Sequence, residues 1–375
     1  MILVEIFTRC RMNKKRKHFS GSALLRAGAA AFLFVLITFG VALAVLKLKQ
    51  GEGAGSVQTT VGTTIAAMIT SDTSTHEAEL LSGPKTERSE EMTKPCVVFP
   101  AKTNDTAVFG KEYDAANAIL INADRNEIVA RKGERYRMYP ASLTKVMTLI
   151  VAVENIDDLH DTVRITDNMV TPYIEQDASR AGFLPGETPS LKDLLYGMIL
   201  NSGADAASAV AKYVAGSEKK FVQLMNDKAE EMGLYATHFT NVTGLHDPEH
   251  YSTAEDMAMI LEYAIGNRTC KQILTAKEYK FRRTEQNPDG LTFTSTLFSR
   301  MYGDEMEGVK ILGGKTGYTD KARHCVETFA DVDGETFILV LCGGTTKWNV
   351  VYGTLSAYSV YCAGGEPYES SRSRR

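Results

Sequence analysis

The chain has 375 residues, 44% of them hydrophobic and 23% charged, which suits one sizeable globular domain with additional segments. A net charge of −4 excludes a nucleic-acid binder that works through a chain-wide positive field. None of the six cysteines forms a CxxC pair, which removes zinc ribbons and thioredoxin-like redox sites.

The charge is uneven along the chain. Arg9, Arg11, Lys14, Lys15, Arg16 and Lys17 crowd the N-terminus, and 27–46 follows without a charged side chain. Such a run is close to the ~20 residues that span a bilayer as a helix. A basic flank ahead of it stays in the cytoplasm and directs the rest of the chain outward. A cleaved signal peptide is the alternative, because Ala42-Leu43-Ala44 has a small-x-small form. The run exceeds the ~7–15 residues of a signal-peptide core, so an uncleaved anchor is preferred. A buried core helix fits poorly beside so dense a basic flank.

Residues 50–93 are rich in Gly, Ser, Thr and Glu and have little apolar periodicity, the composition of a tether. The expected layout is a cytoplasmic basic segment at 1–26, a transmembrane anchor or signal at 27–46 and a flexible linker at 47–95. A globular domain at 96–367 and a disordered tail at 368–375 complete it. Five cysteines lie beyond the apolar run, so at least one is unpaired within the chain. Cys325 and Cys342 flank a hairpin turn at Asp331-Val332-Asp333-Gly334 and can face each other across two strands. A disulfide and a pair of buried free thiols are both open there, free thiols being the commoner outcome unless the compartment is oxidising.

Within the domain, 118–122 reads as a strand, 123–126 as a turn and 127–131 as the returning strand. After Pro140, helical spacing runs over 142–153, with Leu143, Val146, Met147, Ile150 and Val151 on one face. Helical patterns follow at 191–200, 205–214, 218–231 and 253–265. The last third turns to strands at 308–316, 323–331 and 336–341, and a helix closes at 349–361. Strands at both chain ends with helices between them predict an α+β domain, one antiparallel sheet with helices packed on it.

Three short motifs stand in order: Ser142-Leu143-Thr144-Lys145, Ser202-Gly203-Ala204 and Lys315-Thr316-Gly317. Pro140 favours a helix start just after it, which puts Ser142 near a helix N-terminus, where unpaired N–H groups favour an oxyanion. Lys145 follows at i+3 on the same side of the helix. Buried against apolar neighbours, its amine loses basicity and can act as a general base toward Ser142. Alone, Ser-x-x-Lys recurs by chance, and an N-cap serine with a solvated lysine is the commoner reading. Ser202 lies in a break between helical patterns, where its hydroxyl can relay a proton to a leaving amine. Read alone, Ser202 or Asp205 is simply the cap of the next helix.

Lys315 and Thr316 on a strand can bind a carboxylate by charge and hydroxyl. Gly317 removes a side chain where a substrate would lie alongside, and the N–H of Tyr318 can join that of Ser142 in an oxyanion hole. A glycine-rich turn with a solvated lysine is the bland alternative. Together and in this order, the motifs describe an acyl transferase for peptides that end in a free carboxylate.

The segments Tyr139-Pro-Ala-Ser-Leu-Thr-Lys145, Asn241-Val-Thr-Gly-Leu245, Ser252-Thr-Ala-Glu-Asp-Met257 and Gly314-Lys-Thr-Gly-Tyr-Thr-Asp-Lys-Ala322 resemble the D-alanyl-D-alanine carboxypeptidases, low-molecular-mass penicillin-binding proteins of bacterial cell walls. The resemblance covers roughly residues 115–363. It implies a β-lactamase/transpeptidase-like fold, a sheet flanked by helices with an all-helical lobe and a cleft between them, here preceded by one N-terminal transmembrane helix.

It further implies that Ser142 is acylated, Lys145 is its base and Ser202 the proton relay. Lys315 and Thr316 would take the substrate's terminal carboxylate, with Gly317 and Tyr318 beside it. The substrates would be peptidoglycan stem peptides, β-lactams would acylate Ser142, and no cofactor would be needed. One position departs from the family pattern: Ala204 stands where asparagine is usual. That amide would contact both substrate and catalytic lysine, and Asn201 is a neighbour that could replace it. The contrasting reading is a catalytically impaired wall-binding or β-lactam-sensing protein. Many relatives also carry a β-rich domain and a C-terminal membrane helix; here the N-terminal span would serve as anchor.

Other candidates are weaker. His246 and His250 are four residues apart, but Pro248 between them argues against a metal-binding helix. Trp348 reads as packing for the last helix. Glu175 and Asp177 read as solvated loop carboxylates rather than as the water-activating carboxylate of a β-lactamase.

Overall fold

The computed structural model describes residues 97–301 and 306–368. The expected span at 27–46, the linker, Cys96 and all of the tail beyond Tyr368 lie outside the described residues. Among the described residues no helix is long and apolar enough to cross a membrane.

Among the described residues eight strands and eight α-helices form a sheet with helices on both faces. Strands β1 (Ala101–Val108), β2 (Asn117–Asn122) and β3 (Glu127–Lys132) open the domain. A 3-10 turn at Ala141–Leu143 leads into α1 (Thr144–Asn155). Then come α2 (Asp167–Glu175), α3 (Leu191–Leu200), α4 (Ala204–Ala215), α5 (Glu218–Glu231), α6 (Ala254–Gly266) and α7 (Arg268–Leu274). A small hairpin of β4 (Glu278–Phe281) and β5 (Leu291–Thr294) precedes the long strands β6 (Val309–Thr319), β7 (Arg323–Val332) and β8 (Glu335–Gly344). Helix α8 (Lys347–Tyr361) closes the fold.

The main sheet has the order β1-β3-β2-β8-β7-β6, so both chain ends build it and β8 joins β2 at its centre. All neighbours are antiparallel except β1, which runs parallel to β3, and the expectation of a wholly antiparallel sheet is corrected there. β2 shows how two cores share one sheet. Ile119 and Ile121 face the helices α1 to α7, whereas Ala118 and Leu120 face the core under α8. Successive strand side chains point to opposite faces, so a strand covered on both sides reads as a continuous apolar run.

Sequence periodicity located α3 and α5 with their observed ends and the other long elements to within a few residues. The elements it missed have local reasons. β1 is polar and exposed and exists through pairing with β3. α2 carries Pro172 inside it, and α7 has only seven residues. The expected helix at 142–153 begins as a 3-10 turn because Ala141 holds a left-handed φ of +48°, and the regular helix starts at Thr144. Cys325 and Cys342 are both buried free thiols, so the disulfide alternative does not hold.

Helix α4 is tied to the segment ahead of α3 by one side chain. The Asp205 carboxylate accepts hydrogen bonds from the backbone N–H groups of Ala181 (2.7 Å), Gly182 (3.0 Å) and Phe183 (3.2 Å), and Ala204 N–H donates to Ser179 O (2.8 Å). The sequence offered Asp205 as a cap for its own helix. Instead Gly203 takes the cap position, and Asp205 satisfies donors of another segment. Removing it leaves buried N–H groups unpaired. Asp205→Ala is expected to lower stability by about 2–4 kcal/mol, and Asp205→Asn, which keeps an acceptor, by less, measured by urea unfolding.

Candidate active site

The three sequence motifs meet in a cleft of about 620 Å³ between the β6 edge of the sheet and the helices. Ser142 enters from the 3-10 turn, Lys145 from the first turn of α1, Ser202 from the α3–α4 break and Thr316, Gly317 and Tyr318 from β6.

Lys145 Nζ lies 3.0 Å from Ser142 Oγ and donates to the carbonyl of Thr243 at 2.7 Å. The side chain is buried, and burial pushes its amine down to about 7, against an opposing pull from Asp205. Near neutral pH a sizeable fraction is therefore neutral and able to take a proton from Ser142.

Ser202 has a left-handed φ of +59°, an uncommon conformation for a residue with a side chain. It turns its hydroxyl to Lys315, whose Nζ donates to Ser202 Oγ at 3.0 Å and to Thr316 O at 2.8 Å. Burial pushes Lys315 well below its usual range. Lys145 and Arg300 push in the same direction, and Glu327 opposes them. The site thus holds two Ser–Lys pairs, Ser142 with Lys145 at the start of α1 and Ser202 of the α3–α4 break with Lys315 of β6; Lys315 itself is buried and does not line the cleft.

Two glycines allow the backbones to come this close. A Cβ on Gly317 would stand 2.9 Å from the Ser142 nitrogen, so β6 runs directly beside the N–H expected in the oxyanion hole. A Cβ on Gly244, whose φ is +82°, would stand 1.8 Å from the Ala141 carbonyl oxygen. The loop carrying Gly244 is shaped by Asn241. Its Oδ1 accepts from Thr243 N (3.1 Å), Thr243 Oγ1 (3.0 Å) and Gly244 N (2.7 Å), and its Nδ2 donates to Leu245 O (2.9 Å).

Several contributors were not legible in the sequence. His250 is buried and receives a hydrogen bond from Thr240 N at Nδ1 (3.1 Å). Its Nε2 therefore carries the proton and donates to Thr144 Oγ1 (2.8 Å), which in turn donates to Ala141 O (2.8 Å). Burial pushes His250 down to about 4, so it stays neutral and keeps both roles. This relay braces the strained residue ahead of Ser142. Thr296 joins Thr316 through a 2.8 Å hydroxyl pair, and Arg300, half-buried, lines the cleft. The sequence offers His250 only beside His246 as a metal candidate, and no motif marks Thr296 or Arg300, because only the fold brings them beside the others.

Ala204 also lines the cleft. Asn201 does not replace the usual amide, since its Oδ1 accepts from Thr294 N (3.0 Å) on β5. Besides Ser142, Lys145 contacts the Thr243 carbonyl. His246 borders the cleft, and among the described residues no group of His, Cys, Asp and Glu is placed to hold a metal ion. Trp348 stacks on Tyr352 within α8, as expected for a packing residue. Glu175 and Asp177 are exposed; Asp177 borders the cleft and Glu175 does not.

The sequence pattern described as D-alanyl-D-alanine carboxypeptidase, peptidase family S11, matches residues 102–346. D-alanyl-D-alanine carboxypeptidase DacF of Bacillus subtilis is 34% identical over 238 residues, covering 62% of this chain and 58% of its own. DacC of Escherichia coli is 34% identical over 263 residues, covering 64% and 60% respectively. The chain therefore spans about 58–60% of the length of these curated relatives.

Among solved structures, the Streptomyces K15 DD-transpeptidase aligns with a TM-score of 0.58 at 25% identity over 69% of this chain and 97% of that one. The D-alanyl-D-alanine carboxypeptidase of Mycobacterium tuberculosis H37Rv aligns with a TM-score of 0.58 at 27% identity, over 69% and 94%. The fold is of this mixed α/β transpeptidase type.

Gly244→Ala tests the close approach around Ser142. The added methyl cannot fit beside the Ala141 carbonyl, and the variant is expected to lose about 1–3 kcal/mol of stability, measured by urea unfolding.

Proposed function

Because the chain belongs to the D-alanyl-D-alanine carboxypeptidase family, we propose that it removes the terminal D-alanine from peptidoglycan stem peptides through an acyl-enzyme on Ser142. The observation that carries this reading is the buried Lys145 amine, pushed down to about 7 and 3.0 Å from Ser142 Oγ. A lysine in that state is a base matched to neutral pH, and the serine beside it is a nucleophile within its reach.

In the proposed reaction, neutral Lys145 takes the hydroxyl proton as Ser142 Oγ attacks the carbonyl carbon of the penultimate D-alanine. The N–H groups of Ser142 and Tyr318 hold the oxyanion. Collapse breaks the C–N bond, and the proton taken by Lys145 passes through the Ser202 hydroxyl to the departing D-alanine amine, which leaves Lys145 neutral again. Lys315 and Thr316 hold the terminal carboxylate, with Arg300 nearby adding positive charge. Water then cleaves the ester and returns Ser142. A β-lactam enters the same path at the acylation step, because its strained amide sits where the scissile bond would lie and its carboxylate meets Lys315.

Retained activity, rather than a binding or sensing role, is favoured by the Lys145 geometry. The Thr243 carbonyl already holds the amine toward Ser142 without an amide at position 204. Residues 96–367 would form the catalytic domain, held on the extracytoplasmic face by an N-terminal membrane helix at 27–46 or released there by its cleavage.

The test is release of free D-alanine from a peptide ending in Lys-D-Ala-D-Ala. Steady release is expected, falling on the order of 10³-fold or more in Ser142→Ala. A folded protein that is labelled by penicillin but releases no D-alanine would instead support the sensing role. The pH dependence follows from Lys145: its amine is neutral above its pKa and protonated below it. Penicillin acylation is therefore expected to fall about tenfold per pH unit below about 7 and to level off above it, measured by stopped-time labelling.

A further inference from the structure

Beside the cleft lies a second cavity of about 440 Å³, at the end of the sheet where β6 turns into β7. Lys321 lines both spaces, and Tyr139 of the second stands edge-on to His246 of the first, with ring centroids 4.7 Å apart. The reaction derived above leaves this cavity unused. Its charged lining is all of one sign: Arg137, Lys321 and Arg323, with no carboxylate among the lining residues.

These cations are poorly neutralised. Among the described residues neither Lys321 nor the Arg323 side chain has an ion-pair partner. Asp114 shares the neighbourhood of Arg323, but its carboxylate accepts from Thr345 N (2.8 Å) and Asn349 Nδ2 (2.7 Å). Asp320, in the turn itself, accepts from the Tyr318 hydroxyl (2.9 Å) and lines the cleft rather than this cavity. Arg137 lies over the Tyr251 ring, 3.3 Å from its centroid, and donates to Pro248 O (2.9 Å); exposed Glu249 is 3.9 Å away. Arg323 also holds a left-handed φ of +58°, which glycine takes freely and arginine does not. Three like charges at one cavity repel one another, and strain of this kind persists where function uses it. A bound anion offsets the repulsion.

The strand register says which part of a substrate comes near. Gly317 runs beside the Ser142 nitrogen, and Thr319, two residues or about 7 Å further along β6, is paired with Arg323. With the terminal carboxylate at Lys315 and Thr316 and the penultimate D-alanine at Ser142, the rest of the peptide leaves toward Thr319. An extended peptide covers the same ~7 Å in two residues. The residues that come within reach of Arg323 and Lys321 are therefore the two ahead of the D-alanine pair.

We propose that this cavity is a subsite for a carboxylate carried by one of the two residues ahead of the D-alanyl-D-alanine pair, held by Arg323 and Lys321 with Arg137 adding to the field. The proposal rests on the peptidase reading of the cleft, and it names the stem peptides that are favoured: acidic rather than amidated ones. Lys321 and Arg323 are exposed, so the preference is modest and sensitive to salt.

The experiment uses the full chain and two pairs of pentapeptides ending in D-Ala-D-Ala. One pair carries a γ-linked D-glutamate or its amide at the second position; the other carries diaminopimelate or lysine, which lacks the extra carboxylate, at the third. D-alanine release gives kcat/KM, and competition against fluorescent-penicillin labelling reads binding without turnover. The acidic member of at least one pair is expected to be preferred about fivefold at low salt, mainly through KM, and within about twofold in roughly 0.5 M salt. The pair that shows the preference locates the carboxylate.

Arg323→Gly, which keeps the backbone without strain, is expected to reduce the preference to about twofold, and Arg323→Gly with Lys321→Gln to abolish it, while Arg323→Lys retains most of it. A merely structural loss lowers both members of a pair alike and leaves their ratio unmoved. Equal use of both members of both pairs by the unaltered chain would overturn the proposal, as would a preference that survives in the double variant. Lys321→Gln alone decides if Arg323→Gly fails to fold, read by thermal unfolding. If no peptide releases D-alanine, the peptidase reading fails, and the labelling competition still decides the subsite.

Discussion

Two lysines kept dry beside two serines are the constraint on which the rest of this domain depends. Lys145 and Lys315 are both buried at the seam between the sheet and the helices, and each loses basicity because water is excluded. In solution both amines would simply be protonated and heavily hydrated. The two apolar cores, one on each face of the sheet, keep the seam closed. The inner core also packs α1 against the strands, which brings Lys145 and the β6 lysine into one electrostatic system. Burial lowers both, and their mutual repulsion lowers Lys315 further.

Such an arrangement needs backbones closer together than side chains normally permit. Gly317 lets β6 pass beside the Ser142 nitrogen, and Gly244 lets its loop rest on the Ala141 carbonyl. The strain this creates at Ala141 is held by hydrogen bonds rather than left to the local chain. Thr144 and His250 brace the carbonyl, and Asn241 shapes the loop that presses on it. Strained backbone persists where its surroundings over-determine it, and here the strain sits immediately before Ser142. The same economy governs position 204. Alanine stands there, Lys145 donates to the main-chain carbonyl of Thr243, and Asp205 secures the segment ahead of α3.

Much of the fold was legible because burial repeats with the period of the element. The ends of α3 and α5 follow from apolar spacing alone, and the strands β7 and β8 from their apolar runs on either side of the Asp333-Gly334 turn. β1, α2, α7 and the β4–β5 hairpin were not legible. β1 has no apolar face of its own, Pro172 contradicts the helix around it, and the others are too short to show a period. The site divides in the same way. Ser142 and Lys145 are readable because a helix fixes what lies three residues on, and Lys315 to Tyr318 because they are consecutive. Asp205 was noticed, but as a cap for its own helix, since its true partners lie more than twenty residues away in sequence.

The sequence by itself determined the chemical inventory: a serine and a lysine one helical turn apart, a second hydroxyl, a cationic strand and the glycines around it. These are local facts, set by spacing and residue type. The tertiary structure alone decided what that inventory can do. Whether Lys145 is a base, whether Ser202 faces Lys315, and whether Glu327 lies across from Lys315 depend on how segments distant in sequence are packed and how completely water is kept out. Desolvation and cross-strand register are properties of the folded whole, and no local reading of residues contains them.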